Sequence, residues 1–342
     1  MPYLIGVLRH DYKGHAEEQL IQIGKERGLE VVLIDPFTIT LGVQPDTIRN
    51  HGTSLECDGI VSRCEISSCL APESEAYLRL LQFYEKKGVP IINSSQSIIK
   101  CQDKFRTHYN LSKLGAPTPK TFVTYEYQRA EKIIIEKELE FPIIIKKIYG
   151  SRGDGVYKVN SFEEMKNLYH YRFSPREVLL LQEHLYLEVN DEGEVRDYRI
   201  WVVRDKSTGK SKTMGGVHRN ARNGNFRTNV SHGGYVTRVK GLAKEVAWLG
   251  EIALDAVSGD VAGIDIARTK DGNLYVEEVN ISFDTGVKTQ NYIGDIWSEV
   301  LDLLVTRIEN KISVSPFLRR PTSHSTGRFN RMPLIIKRFF GS

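Results

Sequence analysis

Short apolar runs and helical-period stretches alternate along the first 95 residues of the chain. Residues 3–8, 30–34, 59–63 and 90–92 predict strands, and residues 15–27 and 72–87 predict helices. That alternation is the signature of a parallel α/β layer. Asn93-Ser94-Ser95 reads as a helix start leading into residues 96–114. Gly115-Ala116-Pro117-Thr118-Pro119 ends that helix, because each proline lacks an amide donor and restricts its predecessor, and it marks a boundary in the chain.

A second block follows, with strands at 141–148, 156–159 and 178–182, a glycine-rich turn at 150–155 and a helix at 162–171. A third begins at Asp197 with an apolar strand and continues through a polar Gly/Asn-rich loop at 220–234. Leu242, Val246, Leu249, Ala253 and Ala256 recur at spacings of 4, 3, 4 and 3, an amphipathic helix. Strands at 261–267 and 274–280 are joined by Lys270-Asp271-Gly272-Asn273. Ile293, Trp297, Val300, Leu304 and Ile308 supply the apolar stripe of a last helix. There is no internal repeat.

Composition adds bounds. The 342 residues suffice for two or three domains at about 150 residues each. With 40% hydrophobic and 26% charged residues the chain reads as a soluble globular protein. The net charge of +4 hints at an anionic partner, but it is unevenly placed. Residues 311–342 hold seven basic side chains and no acid, so residues 1–310 carry 40 basic against 43 acidic groups, or −3. Arg319-Arg320 and Arg328-Phe329-Asn330-Arg331 mix charge with an aromatic as single-strand nucleic-acid binders do, against the plainer reading of a solvated tail. The N-terminus lacks the basic and long apolar regions of a secretory signal, and no stretch approaches the ~18 apolar residues of a membrane span. Cys57, Cys64, Cys69 and Cys101 form no CxxC pair and follow no zinc-ligand spacing, which predicts reduced cysteines in a cytoplasmic protein.

Several segments could carry chemistry. Gly150-Ser151-Arg152-Gly153-Asp154-Gly155 lies between two strands, and such glycines let backbone amides approach phosphate oxygens. Its order fits neither the dinucleotide fingerprint nor a Walker A loop, and a plain hairpin turn competes. Upstream, Lys146 and Lys147 end an apolar strand and point to opposite faces; alternation does not say which faces a site. Glu278 and Asn280 stand two apart on one strand face with Glu277 opposite, and Asp265 interrupts the neighbouring apolar strand. Carboxylates and a carboxamide on adjoining strands are the hard oxygen donors that magnesium takes when it is held against phosphates. Asp197 and Arg199 share a strand face, and Arg219, Arg222, Arg227 and Asn229 lie in or beside the polar loop. No G-x-S-x-G occurs, which disfavours covalent serine hydrolysis.

Taken in order, these segments resemble the ATP-grasp superfamily and within it the RimK-like carboxylate-amine ligases, over residues 3 to 310. Gln102-Asp103-Lys104, Pro142 to Lys146 with the 150–155 loop, Leu181-Gln182-Glu183-His184-Leu185, Asp197-Tyr198-Arg199, Phe226-Arg227-Thr228-Asn229 with Gly233-Gly234, Gly263-Ile264-Asp265 and Glu278-Val279-Asn280 match the family's segments. The resemblance implies an α/β, α+β ATP-grasp fold: a parallel pre-ATP-grasp domain at 1–94, a central subdomain at 95–186 and a metal-bearing subdomain at 187–312 that together sandwich ATP, and a basic tail at 313–342. It implies one or two magnesium ions, or manganese, on Asp265, Glu278 and Asn280. Lys104 and Lys146 would reach the phosphates under a loop of Gly150, Ser151, Arg152, Gly153 and Gly155. Gln182, Glu183, His184 and Leu185 would cradle adenine, with Asp197, Arg227 and Asn229 also beside the nucleotide. Arg219, Lys146 and Arg199 would act on the reacting groups.

The implied activity is ADP-forming amide synthesis through an acyl phosphate, joining an amino acid such as glutamate to a peptide, protein or small acceptor. The alternatives are a ligase that tailors ribosomal peptides and a non-catalytic nucleotide-binding regulator. A homo-oligomer, dimer or tetramer, is expected, with no nucleic-acid partner unless the tail supplies one. One departure stands out: the family's Pro-Gly turn after the metal asparagine is replaced by Ile281-Ser282-Phe283-Asp284-Thr285-Gly286.

Overall fold

A computed structural model describes residues 2–9, 14–63, 72–150, 155–174, 177–222, 224–283 and 285–314. Ser151, Arg152, Gly153, Asp154, Asp284, Cys64, Cys69 and the tail from 315 onward lie outside the described residues.

The chain opens with β1 (Leu4–Leu8), α1 (His15–Glu26) and β2 (Glu30–Ile34). A small antiparallel meander comes next, β3 (Ile39–Val43), β4 (Asp46–Asn50) and β5 (Thr53–Ser54), followed by β6 (Gly59–Ser62), α2 (Pro72–Lys86) and β7 (Ile91–Ile92). β2, β1, β6 and β7 form a parallel sheet in that order. β6 is buried at every position, as a parallel strand covered on both faces must be. The meander was not expected: its strands are short and partly exposed, and β4 and β5 are mostly polar.

The single helix expected at 96–114 is two, α3 (Ser95–Gln102) and α4 (Lys104–Lys113). Asp103 breaks it by capping α4, its carboxylate accepting the Arg106 amide at 3.0 Å. A second antiparallel sheet, ordered β10-β9-β11-β8, is built from β8 (Thr121–Thr124), β9 (Ile143–Lys147), β10 (Val156–Val159) and β11 (Leu179–Glu183). α5 (Tyr127–Ile135) and α6 (Phe162–Arg172) accompany it; β8 and α5 were also unexpected.

β12 (Arg196–Arg204), β13 (Ser211–Asn220), β14 (Tyr235–Arg238), β15 (Val261–Arg268) and β16 (Leu274–Asn280) form a third sheet ordered β14-β13-β12-β15-β16, with α7 (Lys244–Ala256) packed on it. The apolar stripe expected for one final helix spans two. α8 (Gly286–Ile293) ends before Gly294, whose φ of 75° no helix accepts, and α9 (Ile296–Val314) restarts beyond it.

The cores divide unevenly. Ile34, Ile60 and Tyr84 of the first layer share one cluster with Ile200 and Val279 of the third sheet and Val246 of α7. Ile5, Val7 and Leu20 share another with Trp201, Val217 and Trp297. The second sheet keeps its own core, including Ile143, Ile145, Met165, Phe173 and Leu181. No helix among the described residues is long and apolar enough to cross a membrane.

Candidate active site

A cleft of about 340 Å³ lies between the second and third sheets, in the size range of small-ligand sites. One wall is β9, β10 and the exit of β11. Along β9, Lys146 lines the cleft, whereas Lys147 turns to the other face, with its Nζ 2.9 Å from Glu177 Oε1 and 5.6 Å from the Phe173 ring centroid. Gly155 packs over Lys147 with φ 72°, and a Cβ there would stand 2.9 Å from Lys147 Cγ, so glycine is required where the 150–155 loop returns to β10. Lys104, the first residue of α4, donates from Nζ to the Gly150 carbonyl at 2.7 Å and lies 3.6 Å from Glu278 Oε1.

The opposite wall is a ladder of cross-strand charge pairs. Asp197 of β12 faces Arg219 of β13, and Arg199 of β12 faces Asp265 of β15. Arg219 Nε donates to Asp197 Oδ1 at 2.9 Å, and its Nη2 lies 3.0 Å from Asp265 Oδ2. Arg199 grips Asp265 through both Nε and Nη2, the latter at 2.8 Å. Thr228 donates to Asp197 Oδ2 at 2.7 Å. Burial works against the charge on Arg219, but Asp197 and Asp265 more than offset it and hold its pKa above the ordinary guanidinium value.

Asp265 pairs with Glu278 across β15 and β16, and Gly263 pairs with Asn280. One step on, Ile266 pairs with Val276, so Glu277 is an extra residue, a β-bulge. The expectation that Glu277 points away from the site is therefore corrected: the bulge breaks the two-residue alternation, and Glu277 and Glu278 both line the cleft. Burial first, then Asp197 and Asp265, raises the Glu277 pKa to about 7, against the pull of Lys146 and Arg219. Desolvation lowers the Lys146 pKa, opposed by Glu277 and Glu278.

Of the residues singled out from sequence, Lys104, Lys146, Gly150, His184, Leu185, Asp197, Arg219, Arg227, Asn229, Asp265 and Glu278 line this one cleft. Arg199, Asn280, Gly155, Gln182 and Glu183 do not line it. Gln182 is buried, and its Nε2 contacts Thr121 Oγ1 at 3.0 Å and His108 Nε2 at 3.2 Å. Glu183 Oε1 accepts the Lys120 amide at 2.6 Å. Arg227 crosses the cleft from the third sheet to donate to the Val156 carbonyl, and its buried Nε has no partner among the described residues. Besides Glu277, Lys158, Tyr186 and Lys270 also line the cleft and were missed. Lys158 stood in an ordinary strand and Lys270 in an ordinary turn, so neither carried a local signal.

The donor set fits a magnesium ion. Two carboxylates face each other across adjoining strands, and the half-buried Asn280 has a buried Nδ2 with no partner among the described residues; a half-turn of that amide presents oxygen instead. Among the described residues no three His, Cys, Asp or Glu side chains gather to hold a metal by themselves.

The comparisons with known proteins fit this geometry. The family model of the RimK-like ATP-grasp domain matches residues 101–304. The chain belongs to that family. It is 32% identical over 270 residues to the alpha-aminoadipate–LysW ligase LysX of Saccharolobus solfataricus, covering 77% of this chain and 87% of the relative. It is also 32% identical over 256 residues to the coenzyme gamma-F420-2:alpha-L-glutamate ligase of Methanococcus maripaludis, covering 74% and 83%. Among solved structures, the ATP-grasp ligase PsnB in complex with a variant of its minimal precursor, Mg and ADP superposes with a TM-score of 0.65 at 18% identity, over 90% of this chain and 99% of that one. This RimK-like protein is accordingly an ATP-dependent ligase with the ATP-grasp fold.

Proposed function

We propose that this ligase joins the amine of an acidic amino acid, glutamate or a near homologue, to a carboxylate on a peptide, protein or small-molecule acceptor, through an acyl phosphate. One observation carries the reading: the Asp265–Glu278 cross-strand pair lies in the same cleft as Lys104 and Lys146. Carboxylates for a metal and cations for phosphates are what phosphoryl transfer asks of a protein, which contributes mainly position and charge. The acidic amino acids in the names of LysX and the coenzyme F420 ligase support the substrate class.

ATP would transfer its γ-phosphoryl group to the acceptor carboxylate, giving an acyl phosphate and ADP, and the amine would then displace phosphate to form the amide with loss of a proton; Asp265, Glu278 and Asn280 would hold magnesium, which would neutralise phosphate charge. Lys104 and Lys146 hold phosphate oxygens from the wall formed by α4 and β9. Arg227 reaches the same oxygens from the opposite side. Arg219, oriented by Asp197, presents its remaining edge to the transferring group. His184, Leu185 and the apolar side chains of Ile144 and Val156 take the base. Arg199, held flat against Asp265, orients the substrate carboxylate.

The test is ADP release over a panel of acid and amine pairs, with mass spectrometry of the product. An amide product of one acid–amine pair is expected. Glu278→Gln should lower that turnover by about a thousandfold or more, the scale expected when a charge stabilising the transition state is lost. Wild-type turnover in this variant would remove the metal assignment.

A further inference from the structure

In the parallel sheet the chain passes from β1 to β2 on one side and later places β6 on the other. The crevice at the carboxyl ends of β1 and β6 is thus a topological switch point, where open α/β sheets bind or position ligands. Arg63 is the first residue beyond β6, and its amide donates to the Leu8 carbonyl at 2.9 Å. Its side chain is 3% exposed. Nε donates to Glu17 Oε1 at 2.9 Å, and Nη1 donates to the Phe283 carbonyl. The guanidinium lies 5.0 Å from the Trp297 ring centroid, and Phe283 stacks on Trp297 with centroids 5.3 Å apart. Glu17 is fully buried; it also accepts Arg9 Nη1 at 2.7 Å and the Gly14 amide at 3.0 Å.

A second side chain from the same layer acts on the same segment. Asn93 donates from Nδ2 to the carbonyls of Ile281 at 3.3 Å and Val261 at 2.9 Å, while its Oδ1 accepts the amides of Asp260 and Val261. The carbonyls on either side of Ser282 are therefore each held by a buried side chain of the parallel layer. The segment they hold leaves the strand of Glu278 and Asn280 directly. It also packs on the substrate side: a Cβ at Gly263 would touch Phe283 Cβ at 3.4 Å and Arg199 Cδ at 3.3 Å. A buried ion pair gives less stability than well-packed apolar groups would, so stability alone does not account for Glu17 and Arg63. Their geometry accounts for a fixed backbone where the family's Pro-Gly turn is missing.

We propose that Arg63, locked by Glu17, is a positioning residue for the amino-acid substrate: it pins the Phe283 carbonyl and so fixes residues 281–283 against Arg199. The proposal rests on the ligase reading above for its substrate, and on hydrogen bonds alone for its geometry. Lysine at 63 keeps the charge opposite Glu17, but its single ammonium loses the planar fork that serves carboxylate, carbonyl and ring together.

The test uses the full chain with Arg63→Lys, and Glu17→Gln as a second variant. In hydrogen exchange, the peptide covering residues 276–283 should exchange about tenfold faster while β12 stays as protected as in the wild type. The affinity for Mg·AMPPNP should change less than about twofold, whereas kcat/KM for the amino acid found in the panel should fall about tenfold or more through both a raised KM and a lowered kcat, the mark of a substrate bound less tightly and out of register. Unchanged exchange at 276–283 would overturn the proposal. So would faster exchange throughout the core with a parallel loss of AMPPNP affinity, which would make Arg63 a general stabiliser. If the wild type turns over no pair, the substrate reading fails by itself, and the exchange and nucleotide measurements decide the Arg63 contact.

Discussion

The two walls of the cleft carry charge in opposite ways. On the third sheet, Asp197, Arg219, Asp265 and Arg199 form a cross-strand ladder of alternating sign, buried except for the half-buried Arg199, on a core continuous with the parallel layer. On the second sheet, Lys146 faces the cleft with no carboxylate of its own wall paired to it among the described residues; the acids that act on it, Glu277 and Glu278, stand across the gap. That sheet also owns a separate core, so it can shift as a unit without breaking the packing of the rest. The difference teaches a division of labour. One wall carries a preorganised charge ladder with Glu277 and Glu278 beside it, and the other brings Lys146, whose acidic neighbours lie across the gap.

The comparison is most easily broken at Asp265. Asp265→Asn leaves Arg199 and Arg219 without their shared carboxylate and should cost about 3–5 kcal/mol in urea unfolding, with turnover lost. Wild-type stability would mean the ladder is not the rigid platform described. Next in size, Lys146→Ala should lower kcat/KM by about a hundredfold, or about 2.7 kcal/mol, with little change in unfolding, while Lys147→Ala should lower it by less than about fivefold. Equal losses would undo the assignment of strand faces.

The smallest effect is a pH slope at the seam between the walls. Burial first, and Lys146 and Lys104 after it, push the pKa of His108 down to about 3. The folded value lies below the unfolded one, so the unfolded chain binds the extra proton between about pH 3 and 6.5. Stability from neutral His108 is thus full above about pH 6.5 and is lost as pH falls toward 3, by up to about 1.4 kcal/mol per unit. His108→Asn should flatten the fall in melting temperature between pH 6.5 and 4.5; an unchanged slope would show that His108 does not titrate with unfolding.

Much of this site was legible in the chain because its chemistry is local. A lysine ending an apolar strand, an aspartate inside one, and Glu278 with Asn280 two apart are anomalies against hydrophobic patterning, and Lys146, Asp265 and Glu278 come together in the cleft. Gln182 and Glu183 show the limit. Their neighbours His184 and Leu185 line the cleft, yet the side chains of Gln182 and Glu183 turn to Thr121, His108 and the Lys120 amide, partners supplied by α4 and by β8 and the residue before it.

By itself, the sequence determined the alternation of strands and helices, the sign and rough position of the chemistry, and the family. Periodicity and buried charge are properties of neighbours along the chain, so they survive without the fold. The tertiary structure alone decided that a bulge turns Glu277 inward beside Glu278 and that Arg63 meets a carbonyl 220 residues away. Those outcomes depend on register and on which surfaces close over one another, and no local pattern encodes either.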